Sequence, residues 1–80
     1  MARMRVRLTF PSELVQQPII HRLVADFGIV PNIRRADVRA DHGWMVLELD
    51  ATQEKLEQGV AWLKAQGIKV DPIERDVVLP

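Results

Sequence analysis

The start of the chain alternates between polar and apolar side chains without a break. In the segment RMRVRLTF, three arginines and a threonine fall on one side of an extended chain, and the other side carries Met4, Val6, Leu8 and Phe10. A period of two residues is typical of a β-strand that buries only one face. The pattern predicts a first strand over residues 3–10, ended by Pro11.

Two later segments have the period of a helix. The first carries an apolar stripe at Ile20, Leu23, Val24 and Phe27. This stripe predicts a helix that begins near Leu14 or Pro18 and ends before Gly28, where a C-cap glycine is expected. A second helix is predicted after an N-cap at Asp50 or Thr52 and before Gly67, with one apolar face formed by Leu56, Val60 and Leu63.

Three further strands complete the pattern. A second strand is predicted over residues 32–41, and the turn ADHG leads from it into a third, GWMVLELD. The segment IKVDPI predicts a short fourth strand at an edge, because Pro72 cannot donate to a ladder. The order βαββαβ with right-handed crossovers predicts an α+β ferredoxin-like plait, a four-stranded antiparallel sheet with two helices on one face. The first and third strands are then central neighbours.

Eighty residues predict one domain, with a core of about residues 3–73 and a C-terminal extension at 74–80. In this extension Val77, Val78 and Leu79 either pack on a partner or fray, and packing is the favoured interpretation. So short a chain has a marginal core, and burial at a subunit interface adds stability. Residues 1–40 carry seven arginines against three acids, whereas residues 41–80 carry four cations against eight acids. This asymmetry favours association, and we expect a homodimer.

The sheet face opposite the helices is a candidate interface. The alternation assigns to it Arg3, Arg5, Arg7, Trp44, Val46 and Glu48. Three interpretations remain open: a solvated face of cross-strand pairs, a protein interface, and an RNA-binding surface. RNA-binding plaits stack bases on two or three aromatic side chains, and this face offers one. Nucleic acid is therefore the least favoured partner.

Catalysis and resident cofactors are not expected. The chain has no cysteine, and His21 and His42 lack the spacing of metal ligands, so we predict neither a metal site nor a cofactor. Acylphosphatases share the predicted topology, but the segment TFPSELVQQP lacks their glycine-rich loop and arginine. No signal peptide and no apolar run of membrane-spanning length is visible, so we expect a cytoplasmic protein without membrane insertion.

Asn32 has two interpretations. It is an ordinary turn residue, since asparagine bonds to neighbouring backbone. Alternatively, its one acceptor and two donors hold a small polar ligand at the start of an edge strand.

The segments VRLTF, LVADFGIVPNI, GWMVLELD and AWLKAQGIKV together resemble the NIL domain over about residues 5–73. That family is named for an Asn-Ile-Leu triplet at its second strand, which aligns with Asn32, Ile33 and, as a departure, Arg34. It is familiar as the regulatory domain of methionine ABC-transporter ATPases.

The resemblance implies a non-catalytic, dimeric sensing domain that binds methionine or a related amino acid at the subunit interface. On this basis we expect ligand contacts at Asn32, Ile33 and the adjacent Pro31, and from the residues themselves we add Arg34 or Arg35 as the carboxylate partner. The alternatives are an adaptor that binds an unknown protein without a ligand and, less favoured, the RNA-binding plait.

Overall fold

A computed structural model of the chain describes residues 2–73. The predicted packing of Val77, Val78 and Leu79 lies outside these residues. The two helices and four strands occur in the predicted order, with a short 3₁₀ helix at Ser12–Leu14. Their bounds are β1 Ala2–Phe10, α1 Ile19–Phe27, β2 Val30–Val38, β3 Gly43–Ala51, α2 Gln53–Ala65 and β4 Lys69–Pro72.

The four strands form one antiparallel sheet in the order β2-β3-β1-β4. β1 and β3 are the central neighbours because the two right-handed βαβ crossovers place β4 outside β1 and β2 outside β3. β4 is four residues long and lies at one edge of the sheet. Its last residue, Pro72, has no backbone N–H group, which an edge position tolerates. The predicted ferredoxin-like α+β fold is confirmed.

One face of the sheet packs against the helices and forms the core. Its buried side chains come from every strand except β2, from both helices and from the loops that follow them; the largest are Val6, Leu8, Leu23, Ile29, Leu47, Leu49, Leu56 and Leu63. Among the described residues, no polar or charged side chain is buried with them. The core is therefore wholly apolar, and its stability comes from burial of hydrocarbon.

The apolar stripe of α1 differs from the predicted one. Ile19 and Leu23 are buried, whereas Val24 is 42% exposed. Of the two predicted starts, Pro18 is the one that agrees, since the helix begins at Ile19, and residues four apart along it face the sheet. Ile29, which the sequence analysis did not assign to the core, is fully buried just after the helix.

The helix ends follow local chemistry. Gly28 adopts φ 65°, and its amide donates to the carbonyl of Val24 at 2.9 Å. Of the two predicted N-caps of α2, Thr52 is the residue that caps, since its hydroxyl accepts from the Lys55 amide at 3.2 Å.

The predicted bounds of β2 were wrong at both ends. The strand begins at Val30, so Asn32 is its third residue, and it ends at Val38. Pro31 is accommodated because β2 is an edge strand with one side unpaired. Arg39 then turns the chain, its amide donating to the carbonyl of His42 at 2.8 Å.

Candidate functional site: the open face and the β2 edge

The register of the sheet fixes which side chains lie on the face away from the helices, here called the open face. Arg3 lies opposite Asp50, Arg5 opposite Glu48, and Arg7 opposite Val46. Residues directly opposite in an antiparallel pair point to the same side of the sheet. All six residues that the sequence assigned to this face lie on it: Arg3, Arg5, Arg7, Trp44, Val46 and Glu48.

A bulge in β2 adds two arginines to the open face. Ile33 lies opposite Leu47 and Arg35 opposite Val46, so Arg34 is an extra residue without a partner position in β3. The Nη1 atom of Arg34 lies 3.5 Å from Oε2 of Glu48, and the guanidinium of Arg35 lies 6.0 Å from the Trp44 ring centroid. Consecutive residues of a regular strand would point to opposite faces, so the bulge brings both arginines to one side.

One half of the open face is a network of ion pairs. Glu48 accepts a hydrogen bond from Arg5 and also faces Arg34. The Nε atom of Arg3 donates to Asp50 at 2.8 Å. The hydrogen bond from Arg5 holds the pKa of Glu48 below its usual range, against an opposing effect of burial and with help from the positive charges of Arg34, Arg5 and Arg3. Three arginines and two carboxylates thus stabilise one another.

The other half is centred on Trp44, and we call it the Trp44 half. The Arg7 guanidinium lies 4.8 Å from the ring centroid, and that of Arg35 lies 6.0 Å away. Arg7 belongs to β1 and Arg35 to β2, which flank β3 on its two sides. The indole is therefore flanked by guanidinium groups from both neighbouring strands.

The residues predicted to bind a ligand lie along β2, but not on one side of it. Asn32 lies opposite Glu48 and points to the open face, as do Arg34 and Arg35, while Pro31 and Ile33 point to the helix side. The Asn32 side chain is exposed and makes no hydrogen bond within residues 2–73. A single copy therefore offers these residues as an edge rather than as an enclosed pocket.

The outer side of β2 has no strand beside it in one copy. Along this strand Val30 is 56% exposed, Ile33 51% and Val38 51%. A nine-residue edge with exposed apolar side chains is a template for pairing with another strand. We call this surface the β2 edge.

Two hollows elsewhere in the molecule do not include residues 31–35. One, of about 50 Å³, lies between the β1–α1 connection and the end of β2, among Phe10, Leu14, Ile19 and Val38. This space suits a few water molecules rather than an amino acid. The other, of about 330 Å³, is an open groove between α2 and Met4.

Within the part of the chain that the structure describes, no three His, Asp or Glu side chains come together as a metal site. No helix among residues 2–73 combines the length and the apolar character needed to cross a membrane.

A protein-family model described as the NIL domain matches residues 4–72. The chain belongs to the NIL domain family.

Two curated relatives of this NIL domain are methionine import ATP-binding proteins MetN. The one from Lacticaseibacillus paracasei is 26% identical over 72 residues, which cover 85% of this chain and 21% of the relative. The one from Helicobacter hepaticus is 22% identical over 71 residues, 84% of this chain and 20% of the relative. The chain spans about a fifth of the length of these relatives.

Solved structures share the fold of this NIL domain. The C-terminal domain of an ABC transporter ATP-binding protein from Enterococcus faecalis superposes with a TM-score of 0.78 at 18% identity, covering 91% of this chain and 86% of that one. The de novo designed protein Foldit4 superposes with a TM-score of 0.54 at 10% identity, covering 92% and 97%.

Proposed function

We propose that this NIL domain is a non-catalytic regulatory domain that binds methionine, or a related amino acid, at an interface between two copies. Membership of the NIL family and the likeness to two methionine import ATP-binding proteins support the ligand class. Because both relatives are ATP-binding proteins, we also propose that the domain acts in the cytoplasm, where ATP is abundant.

The observation that carries the proposal is the position of Asn32 on the β2 edge. The strand is nine residues long, its outer side is unpaired in one copy, and three apolar side chains along it are about half exposed. Antiparallel pairing of two β2 edges about a two-fold axis makes a continuous eight-stranded sheet and buries these side chains. Such pairing puts the Asn32 side chains of both copies on the same face of the sheet, and a register centred near residue 32 brings them close to the axis.

The side chains around this edge match the groups of an amino acid. The Asn32 amide offers one acceptor for an ammonium group and two donors for a carboxylate. Arg34 is a suitable carboxylate partner, since its side chain is 46% exposed and its contact with Glu48, at 3.5 Å, is longer than a good hydrogen bond. Pro31 and Ile33 lie on the other face of β2, so in a continuous sheet they support the interface from the helix side instead of contacting a ligand held by Asn32.

A ligand that binds at the interface between two copies shifts the equilibrium between the free and the ligand-bound arrangements of the domain, and its concentration thereby controls which arrangement is populated. A ligand that contacts both copies stabilises the dimer, or one arrangement of it, by its differential affinity for that state. A ligand present at 100 times its dissociation constant adds about 2.7 kcal/mol to the stability of the state that binds it.

The test is calorimetric titration of L-methionine into the wild-type chain and into Asn32→Ala. Loss of a buried hydrogen-bonding partner of a charged ligand predicts about tenfold or greater weakening. Gln58→Ala is the matched control, because Gln58 is an exposed amide on α2, away from β2. Sedimentation with and without methionine measures the dimer in parallel. Methionine binding that Asn32→Ala leaves unchanged contradicts the assignment.

A further inference from the structure

The Trp44 half of the open face carries two arginines without a carboxylate partner. Arg3, Arg5 and Arg34 all pair with Asp50 or Glu48. Arg7 and Arg35 contact the Trp44 ring instead, and within residues 2–73 neither has an ion-pair partner. Both side chains are exposed. One half of the surface is thus held together by ion pairs, whereas on the other half Arg7, Arg35 and Lys69 outnumber the nearby acids Asp37 and Asp71.

Contact with the indole positions these two guanidinium groups without using their donors. A guanidinium over an aromatic ring keeps its N–H groups free, and these groups match a carboxylate bidentately. The ring also limits the rotamers of both side chains, so less conformational entropy is lost when an anion binds. The two arginines project from β1 and β2, so they offer two separate forks on either side of β3.

We propose that the Trp44 half docks an acidic segment of a partner protein, with one carboxylate on Arg7 and a second on Arg35. This inference does not depend on the amino-acid site at the β2 edge. The complementary chemistry is a pair of spaced carboxylates, as in an acidic loop or strand. Charge complementarity supplies both specificity and an accelerated encounter.

Two observations favour a protein segment over a nucleic acid. First, the faces of the one aromatic ring on this surface are occupied by Arg7 and Arg35, which leaves no free ring for stacking a base. Second, the register places Asp37 opposite Trp44 and Asp71 opposite Arg7. Asp37 is already paired with Arg39 at 3.2 Å, and both acids repel a continuous phosphate backbone more than a segment with only two spaced carboxylates.

The experiment uses a fluorescent synthetic peptide of alternating glutamate and glycine, with a glutamine–glycine peptide of the same length for comparison. We expect saturable, salt-sensitive anisotropy binding of the glutamate peptide and none of the glutamine peptide. Arg7→Gln and Arg35→Gln are each expected to weaken binding about tenfold. Asn32→Ala is expected to leave peptide binding unchanged, which separates this surface from the amino-acid site.

Arg22→Gln is the matched control. The Arg22 guanidinium also lies over a tryptophan, 5.0 Å from the Trp62 centroid, but it belongs to the helix layer on the other side of the sheet. The substitution Arg22→Gln therefore removes one positive charge and one arginine–tryptophan contact, as Arg7→Gln and Arg35→Gln do. In a Trp62→Phe background, Trp44 is the remaining tryptophan, and its fluorescence is expected to change as the glutamate peptide binds. Circular dichroism verifies that each variant is folded.

Three results overturn the proposal. One is that the glutamate and glutamine peptides bind equally well, or that the glutamate peptide does not bind at all. Another is a loss in Arg22→Gln as large as that in Arg7→Gln and Arg35→Gln. The last is a single-stranded oligothymidylate that displaces the bound peptide and binds more tightly at the same salt concentration, which would assign the surface to nucleic acid.

Discussion

The helix-covered face and the open face belong to the same four strands but are stabilised by different interactions. On the covered face, Leu8 and Leu47 are fully buried among other hydrocarbon side chains. On the open face, Arg5 and Glu48 hold each other across neighbouring strands. The first depends on exclusion of water, and the second depends on charge and on geometry that water and salt can weaken.

The difference indicates which side of the sheet can take on a binding function. A substitution in the core changes the stability of the whole domain, because packing there is tight and apolar. A substitution on the open face mainly changes which charges are paired. Recognition of a partner can therefore vary on the open face and along the β2 edge while the core keeps the fold.

The largest predicted effect comes from Leu47→Ala, which opens a cavity in the covered face. Leu47 is fully buried in a central strand, so we expect a loss of about 2–5 kcal/mol in the free energy of unfolding. Urea denaturation followed by far-UV circular dichroism measures it.

Val46→Ala, the neighbouring position on the open face, is the control for this comparison. Val46 is half-buried and lies between the backbone positions of Arg7 and Arg35. We expect a loss of about 1 kcal/mol or less. Equal losses at positions 46 and 47 would show that the two faces contribute alike.

An intermediate effect is predicted for Gly59→Ala on the covered face. A Cβ atom at Gly59 would lie 2.4 Å from Cδ1 of Ile29 and 3.3 Å from Cδ1 of Leu23. Ile29 is fully buried, so its movement is costly, about 1–3 kcal/mol, and the higher helix propensity of alanine offsets at most about 1 kcal/mol of this. Thermal unfolding is expected to show a net loss of about 1 kcal/mol.

The double variant Gly59→Ala/Ile29→Val sharpens this prediction. Valine lacks the Cδ1 atom that the new methyl group would strike, so the double variant is expected to lose less stability than the sum of the single variants. Strict additivity would mean that the close approach of α2 to Ile29 is not what requires glycine at position 59.

The smallest predicted effect concerns the open face and its dependence on pH. The pKa of Glu48 is lowered in the folded chain, chiefly by the hydrogen bond from Arg5. Its contribution to stability is therefore fully present above the unfolded pKa of about 4.3 and is lost as the pH falls through the folded value. We expect Glu48→Gln to lower the melting temperature at pH 7 and to approach the wild type in strong acid.

Glu57→Gln is the control for the pH series, because Glu57 accepts its hydrogen bond from the neutral amide of Gln53 rather than from an arginine. It is expected to change the acid dependence less than Glu48→Gln. A constant difference between Glu48→Gln and wild type from neutral to strongly acidic pH would contradict the assigned role of Glu48.

The central strands were predictable from the sequence because their alternation is long and uninterrupted. Met4, Val6 and Leu8 keep one phase through β1, and Met45, Leu47 and Leu49 keep one phase through β3. The ends of the helices were also predictable, because Pro18, Gly28 and Gly67 restrict or extend the backbone angles locally, without any contact from a distant segment. The order of these elements then determined the topology.

The remaining features depend on contacts between distant segments. Ile29 is buried because α2 presents a glycine to it, and neither residue alone indicates this. The pairing of Arg34 with Glu48 requires the bulge, which no pattern in residues 30–38 indicates. The position of Asn32 on the open face also could not be obtained from its neighbours, since it depends on the register of β2 against β3.

The bulge also has a consequence for chain length. Arg34 is the one residue between Val30 and Val38 that has no counterpart in β3, so removing it would keep Ile33 beside Leu47 and Arg35 beside Val46. Removing Arg35 would give the same chain, whereas loss of Asn32 would move Ile33 opposite Glu48 and so to the other face of the sheet. Homologues that are one amino acid shorter here can therefore keep the same sheet and simply lack one positive charge.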